Sequence, residues 1–143
     1  MSGNPITIRN LGPEDAHILD RIRPGTLEHE IDPARAWAFL ATRVNELVVA
    51  LAQGEVVGIA SGTTVMRPDQ PTAFFVNDIN VHPELRRQGI GRRLMERLTD
   101  LARDRGCEKV WLTVDVGNEA ARGLCAALDG VERTDFVTVA WED

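Results

Sequence analysis

The sequence predicts a mixed α/β domain of the α+β kind, with one central mixed sheet of about six strands, an antiparallel meander at its middle, and four helices. Three observations predict it. Residues 46–81 hold three successive apolar, β-branched runs separated by turn-forming residues. Residues 90–104 carry a single apolar stripe at helical spacing. Strand-like and helix-like segments then alternate to the end of the chain.

The elements follow in order. Residues 5–11 (PITIRNL) alternate as a strand does. Gly12-Pro13-Glu14-Asp15 opens a helix with proline and acids in its first turn, Ile18, Leu19 and Ile22 keep helical spacing, and Pro24-Gly25 ends it. Asp32-Pro33 opens a second helix, Asp as N-cap and Pro at the first helical position, which runs through Trp37, Phe39 and Leu40 to about Val44. Residues 46–52, 55–66 and 73–81 are the three meander strands, with a turn at Gln53-Gly54 and a loop from Arg67 to Pro71. In the long helix Ile90, Leu94, Met95, Leu98, Leu101 and Ala102 line one face, and Gly106 caps its end. A short strand spans 109–114, so the unit from 74 to 114 is a parallel crossover. Asn118 begins a fourth helix, with Ala121, Leu124, Cys125 and Leu128 on one face, and residues 131–141 form the last strand.

Composition narrows the function. At 143 residues the chain is read as one domain, 1–143, near the globular average at 43% hydrophobic and 27% charged. No apolar run is long enough to span a bilayer, no secretory signal is visible, and the two cysteines, Cys107 and Cys125, form no framework, which together predict a cytoplasmic protein without a membrane partner. Three scattered histidines, His17, His29 and His82, argue against a metal site. A net charge of −6 argues against nucleic acid as partner. That charge is uneven. Residues 84–97 hold five arginines against two glutamates, whereas residues 10–34 hold six acids against two arginines, and residues 129–143 five against one. A basic island in an acidic body suggests an anionic ligand at the island and a cationic one elsewhere.

The chemistry concentrates in Val76–Gly91, VNDINVHPELRRQGIG. A strand runs into Arg86-Arg87-Gln88-Gly89-Ile90-Gly91, and a helix follows at once. Glycines here let the backbone approach a ligand, and the free amides of the helix mouth make a site for phosphate, most suitably a diphosphate. Arg86, Arg87, Arg92 and Arg93 add charge suited to phosphate oxygens. There is no GxxxxGK[ST], and Leu94 stands where a GxGxxG requires its third glycine, so neither the triphosphatase loop nor the dinucleotide fingerprint applies.

Arg86-x-x-Gly89-x-Gly91, after Asp78-Ile79-Asn80-Val81-His82-Pro83 and before an amphipathic helix, resembles the acetyl-CoA signature of the GNAT acetyltransferase superfamily. Gly117-Asn118-Glu119-Ala120-Ala121-Arg122-Gly123-Leu124 is similar to that superfamily's second cofactor segment, N-x-x-A-x-x-L-Y. The resemblance covers roughly residues 46–141 and implies a GNAT fold, acetyl-CoA (coenzyme A) as cofactor and direct acetyl transfer to an amine. It implies that the amides of Arg86, Arg87, Gln88, Gly89, Ile90 and Gly91, with Arg92, hold the diphosphate. It further implies that Ile79, Asn80 and Val81 bind the pantetheine arm, and that Asn118 and Ala121 meet it from the other side. The family's tyrosine, a general acid at the thioester sulfur, is replaced by Cys125, and the chain has no tyrosine. Cys125 is then either a donor thiol or a small buried residue. A homodimer is implied by the same resemblance.

An amine nucleophile has to lose a proton, and a carboxylate beside the thioester can take it. Asp78 is the candidate, its apolar flanks Val76 and Ile79 predicting partial burial. Asp115 and Glu28 are candidate contacts for a cationic substrate. The run from Val56 to Gly91, with LTVDVGNEAARGL, is similar to the small aminoglycoside 3-N-acetyltransferases, which implies an aminoglycoside acceptor and a role in antibiotic resistance. Another amine, on a polyamine, amino acid, protein or peptide, stays open, as does a module that binds acetyl-CoA without catalysis.

Overall fold

The computed structural model describes residues 5–142, and the chain divides between Thr113 and Val114 into two compact units. In the first unit β1 (Thr7–Asn10) is followed by a 3-10 stretch (Pro13–Arg21) and α1 (Pro33–Ala41). The strands β2 (Asn45–Ala52), β3 (Glu55–Arg67) and β4 (Gln70–Val81) come next. After a short 3-10 turn (Pro83–Leu85) come α2 (Ile90–Asp104) and β5 (Lys109–Trp111). The sheet order is β1-β2-β3-β4-β5, antiparallel throughout except for the parallel β4–β5 pair. The expected meander and parallel crossover are therefore present.

Each face of this sheet has its own cover. On one, Ile90, Leu94, Leu98 and Ala102 of α2 are buried, as the apolar stripe predicts. Gly58 of β3 is kept bare by this packing, since a Cβ there would lie 3.1 Å from Leu94 Cδ1 and 3.2 Å from Ile90 Cγ2. On the other face Leu11, Ile18, Leu19 and Leu40 pack with Leu47, Val49, Val56 and Ile59, and Leu27 and Ile31 close over them. Fully burying each large aliphatic side chain contributes roughly 1.5–3 kcal/mol, so these two clusters dominate the unit's stability.

Four expectations are corrected. The first helix is 3-10 rather than α, because Asp15 folds back on Gly12: its N–H donates to Gly12 O (2.9 Å) and its carboxylate accepts from Gly12 N–H (2.9 Å). The loop expected over 67–71 is a tight hairpin in which Arg67 pairs Gln70, so β4 starts before Pro71. β5 ends at Trp111 rather than 114, because its pairing with β4 stops at Phe75, two residues before β4 bulges. The sixth strand, expected over 131–141, is absent: among the described residues the sheet has five strands. Alternation predicts a strand, but a strand exists only against a partner, and this segment has none.

The second unit contains α3 (Glu119–Ala127). Asn118 is its N-cap, the side-chain oxygen accepting from Ala121 N–H at 3.1 Å. Arg122 grips Glu132 with two 2.8 Å hydrogen bonds and donates to Val116 O, also at 2.8 Å. The expected face of Ala121, Leu124, Cys125 and Leu128 is half-buried throughout.

Candidate active site

The site begins with an irregularity in β4. Ser61 pairs Asp78 and Gly62 pairs Val76, so Asn77 is an extra residue with no opposite number on β3. A bulge of this kind turns two successive side chains toward one face. Asn77 Nδ2 donates to Thr63 Oγ1 (3.1 Å) and Asp78 Oδ1 accepts from Ser61 Oγ (2.6 Å), so both are turned to the Ser61–Thr63 face. Asn80 Nδ2 donates to Asp78 Oδ2 at 3.2 Å, and Thr63 Oγ1 to Asn45 Oδ1 at 2.9 Å. Six polar residues from three strands thus form two short hydrogen-bonded sets, Asp78 with Ser61 and Asn80, and Thr63 with Asn77 and Asn45, side by side on the face that carries Ile59 and the α1 cluster. Beside it Phe75 and Trp111 stack tilted, ring centroids 4.6 Å apart.

The partial burial expected for Asp78 is not found. It is exposed, because the bulge lifts it away from the α2 face where Val76 is buried. Its two oxygens are each engaged once, which leaves lone pairs of the carboxylate open to an incoming ammonium.

Beyond Phe75, β4 has β3 on one side only. Val76 to Val81, including Ile79, Asn80 and Val81, therefore present an unpaired edge among the described residues. Such an edge offers amides and carbonyls to an extended ligand that itself carries amides. Past Val81 comes the basic loop. Arg87 (φ 66) and Gly89 (φ 79) are both left-handed. Left-handed residues alternating with ordinary ones make concave amide nests for anions. Among the described residues, the amides of Arg86, Arg87, Gln88, Gly89, Ile90, Gly91 and Arg92 have no acceptor. A Cβ at Gly89 would meet nothing within 4 Å, so the cradle is open. Free amides at the positive end of α2, with space before them, fit a diphosphate.

The arginines divide their work. Arg93 Nη2 donates to Ile6 O (3.1 Å) and Arg97 Nη1 to Asn10 Oδ1 (2.9 Å), so both fasten α2 to the β1 region. Arg93, expected beside phosphate, is therefore committed elsewhere. Arg92 pairs Glu96 at 3.5 Å, and Arg86 Nε folds onto Val81 O at 3.3 Å. Arg87 is exposed.

The remaining candidates take no part in these hydrogen bonds. Glu28 is exposed on the irregular segment before α1 and takes no part in the hydrogen bonds around Asp78. Asp115, Asn118 and Ala121 belong to the second unit, where Asp115 is exposed and its carbonyl accepts from Asn118 N–H at 2.9 Å. Cys125 is free, and burial, then the nearby Glu132 charge, pushes its thiol up from the ordinary value. Sequence reasoning missed Ser61, Thr63 and Asn77. Their signal was the pair Asn77-Asp78, two consecutive polar residues breaking the alternation of a strand.

The sequence pattern of the acetyltransferase (GNAT) family matches residues 16–129. The chain is 41% identical over 66 residues to a [ribosomal protein bS18]-alanine N-acetyltransferase of Escherichia coli (strain K12), a match covering 46% of this chain and 43% of the relative. It is 36% identical over 62 residues to a thialysine N-epsilon-acetyltransferase of Bos taurus, covering 43% and 36%. The matches thus span well under half of these curated relatives. Among solved structures, an aminoglycoside acetyltransferase from an uncultured soil metagenomic sample, in complex with sisomicin, aligns with TM-score 0.83 at 17% identity, covering 96% of this chain and 95% of the other. A ribosomal-protein-alanine N-acetyltransferase from Brucella melitensis biovar Abortus 2308 aligns with TM-score 0.73 at 25% identity, covering 97% and 99%. The former likeness is one of fold.

Proposed function

The chain belongs to the acetyltransferase (GNAT) family, and on that premise we propose that residues 1–143 act as a single domain that transfers acetyl from acetyl-CoA to an amine of a cationic small molecule, an aminoglycoside first of all. Acetyltransferases of this family use acetyl-CoA. Bound, it supplies an acetyl group on a thioester whose C–S bond breaks as the C–N bond to the amine forms. The residues of this chain supply the rest. Amides of Arg86 to Arg92 hold the diphosphate, and the unpaired edge at Ile79, Asn80 and Val81 hydrogen-bonds the pantetheine amides. Asn118 and Ala121 are assigned to the cofactor, and Asp115 and Glu28 to the substrate's charge, on the family resemblance. Asp78 takes the ammonium proton, and Ser61 and Asn80 orient its carboxylate. No tyrosine exists to protonate the departing thiolate, and the raised Cys125 thiol holds its proton near neutral pH.

One observation carries the reading. Within β4 and the loop after it, an exposed carboxylate, an unpaired strand edge and a nest of free amides succeed one another between Asp78 and Arg92. The acidic segments and the hydroxyl- and amide-bearing face around Asp78 support a multiply charged, hydroxyl-rich acceptor. A second reading, acetylation of a peptide's N-terminal amine, is favoured by the 41% identity to the bS18-alanine enzyme. Thiol release from acetyl-CoA is the test, with kanamycin, gentamicin, spermidine and a peptide beginning with alanine as acceptors. Release with the aminoglycosides is expected. Release with the peptide alone selects the second reading, and coenzyme A binding without release from any amine leaves only a binding module.

A further inference from the structure

We propose that His82 is a positioning residue that ties the cofactor loop to the segment covering the acceptor face, so that occupancy of the loop is felt at residues 25–30. The inference rests on the acetyl-CoA reading above. His82 ends β4, is only 7% exposed, and stands four residues before Arg86. Both ring nitrogens are used. Nδ1 accepts from Glu84 N–H at 3.2 Å, capping the 3-10 turn that leads into the loop. The proton is therefore assigned to Nε2, which donates to Pro24 O at 2.9 Å, across 58 residues of chain. The ring also lies against Gly25 (φ 96), whose Cβ position is 3.2 Å from Nε2.

The far end of this strut is a defined turn. Arg23 N–H donates to Val56 O (2.9 Å) and Thr26 N–H to Arg23 O (3.1 Å). β3 holds the turn on one side and His82 on the other. It leads straight to Leu27 and Ile31, which pack on the cluster containing Val49 and Ile59, the sheet face that also carries Ser61 and Asp78. Its near end is fixed as well, His82 N–H donating to Val57 O (2.8 Å) and His82 O accepting from Leu85 N–H (2.9 Å). One imidazole thus joins the entry of the amide loop to the entry of the acidic segment holding Glu28 and Glu30.

Asparagine at 82 keeps the cap, being among the best N-cap residues, but its shorter side chain does not reach Pro24. Alanine loses both. The experiment is calorimetric titration with coenzyme A, together with amide hydrogen exchange read with and without it. In the wild type, coenzyme A is expected to slow exchange at 86–92 and, by about 3-fold or more, at 25–30. His82→Ala is expected to weaken coenzyme A about 10-fold, because the turn leading into the amide loop loses its cap and the loop its fixed entry. His82→Asn restores that affinity, yet the slowing at 25–30 stays lost. If His82→Ala does not fold, the asparagine variant alone decides. Coenzyme A bound by the wild type with no slowing at 25–30, or slowing retained in His82→Asn, overturns the inference alone. No binding of coenzyme A by the wild type overturns the acetyl-CoA reading and this inference with it.

Discussion

Ser61 and Asp78 stand opposite each other on β3 and β4, and the serine hydroxyl donates a 2.6 Å hydrogen bond to the aspartate's Oδ1. Theirs is the last matched pair before the register slips at Gly62 and Asn77. Hydrogen bonds from a hydroxyl to a carboxylate are short and strong, so this one fixes the direction of the group assigned the proton transfer.

Replacing that carboxylate tests the assignment. Asp78→Asn keeps the shape and the bond from Ser61 but removes the base. Turnover is expected to fall about 100-fold or more, the range a positioned general base supplies. Coenzyme A affinity should be unchanged, since the contacts assigned to it are backbone groups from Ile79 onward and the amide cradle from Arg86. Steady-state rates with kanamycin and calorimetry separate the two quantities, and unchanged turnover removes Asp78 from the chemistry.

Gly89→Val tests the cradle. The residue is left-handed (φ 79), and the space where its Cβ would stand is empty. A branched side chain therefore meets no protein atom, but it strains the backbone by roughly 1–2 kcal/mol and stands in the open space before the free amides. Coenzyme A binding, followed by calorimetry, should disappear while the folded state survives a thermal melt. Normal binding would place the diphosphate elsewhere.

Gly62→Ala probes the bulge from behind. A Cβ there would lie 2.1 Å from Phe74 Cε2 and 2.3 Å from Cζ, inside the buried ring. Overpacking a tight core costs about 1–3 kcal/mol and at times more, and a loss of about 3 kcal/mol is expected in urea unfolding. Adding Phe74→Leu should recover part of it by vacating the ring's outer atoms.

Asp15 sets an acid limit. The Gly12 amide first, then the Arg9 guanidinium, holds its carboxyl below the usual carboxylate range. A group lowered in the folded state binds its proton sooner when unfolded. Its stabilisation is therefore present above about pH 4, its ordinary value, and is lost as pH falls through the folded value. Asp15→Asn keeps an acceptor for Gly12 N–H but loses the charge, and should cost about 0.3–1 kcal/mol at pH 7, the worth of an acid near a helix N-terminus. Thermal melts of variant and wild type should converge as the pH drops toward 2.

Local patterns carried the reading a long way. The stripe from Ile90 to Ala102 required a helix with one buried face, and the structure buries Ile90, Leu94, Met95, Leu98 and Ala102. The three meander runs and the glycine-bearing loop at a helix mouth were equally legible, because period and backbone freedom are properties of neighbouring residues. The segment 131–141 shows where that stops. It carries Phe136, Val137, Val139 and Trp141 as a strand would, but pairing is a contact between distant parts of the chain.

The amino-acid order alone was enough to establish the meander, α1, α2, α3, the amide loop and its placement before α2, since each depends on residues a few positions apart. Folding in three dimensions settled which face Asp78 serves, which arginines remain for an anion, and what His82 joins. Strict alternation would have put Asp78 with Phe74 and Val76 under α2. A single unmatched residue, Asn77, moves it to the opposite face beside Ser61. Such a slip follows from how β3 and β4 fit together, an interaction between strands that no short window of sequence contains.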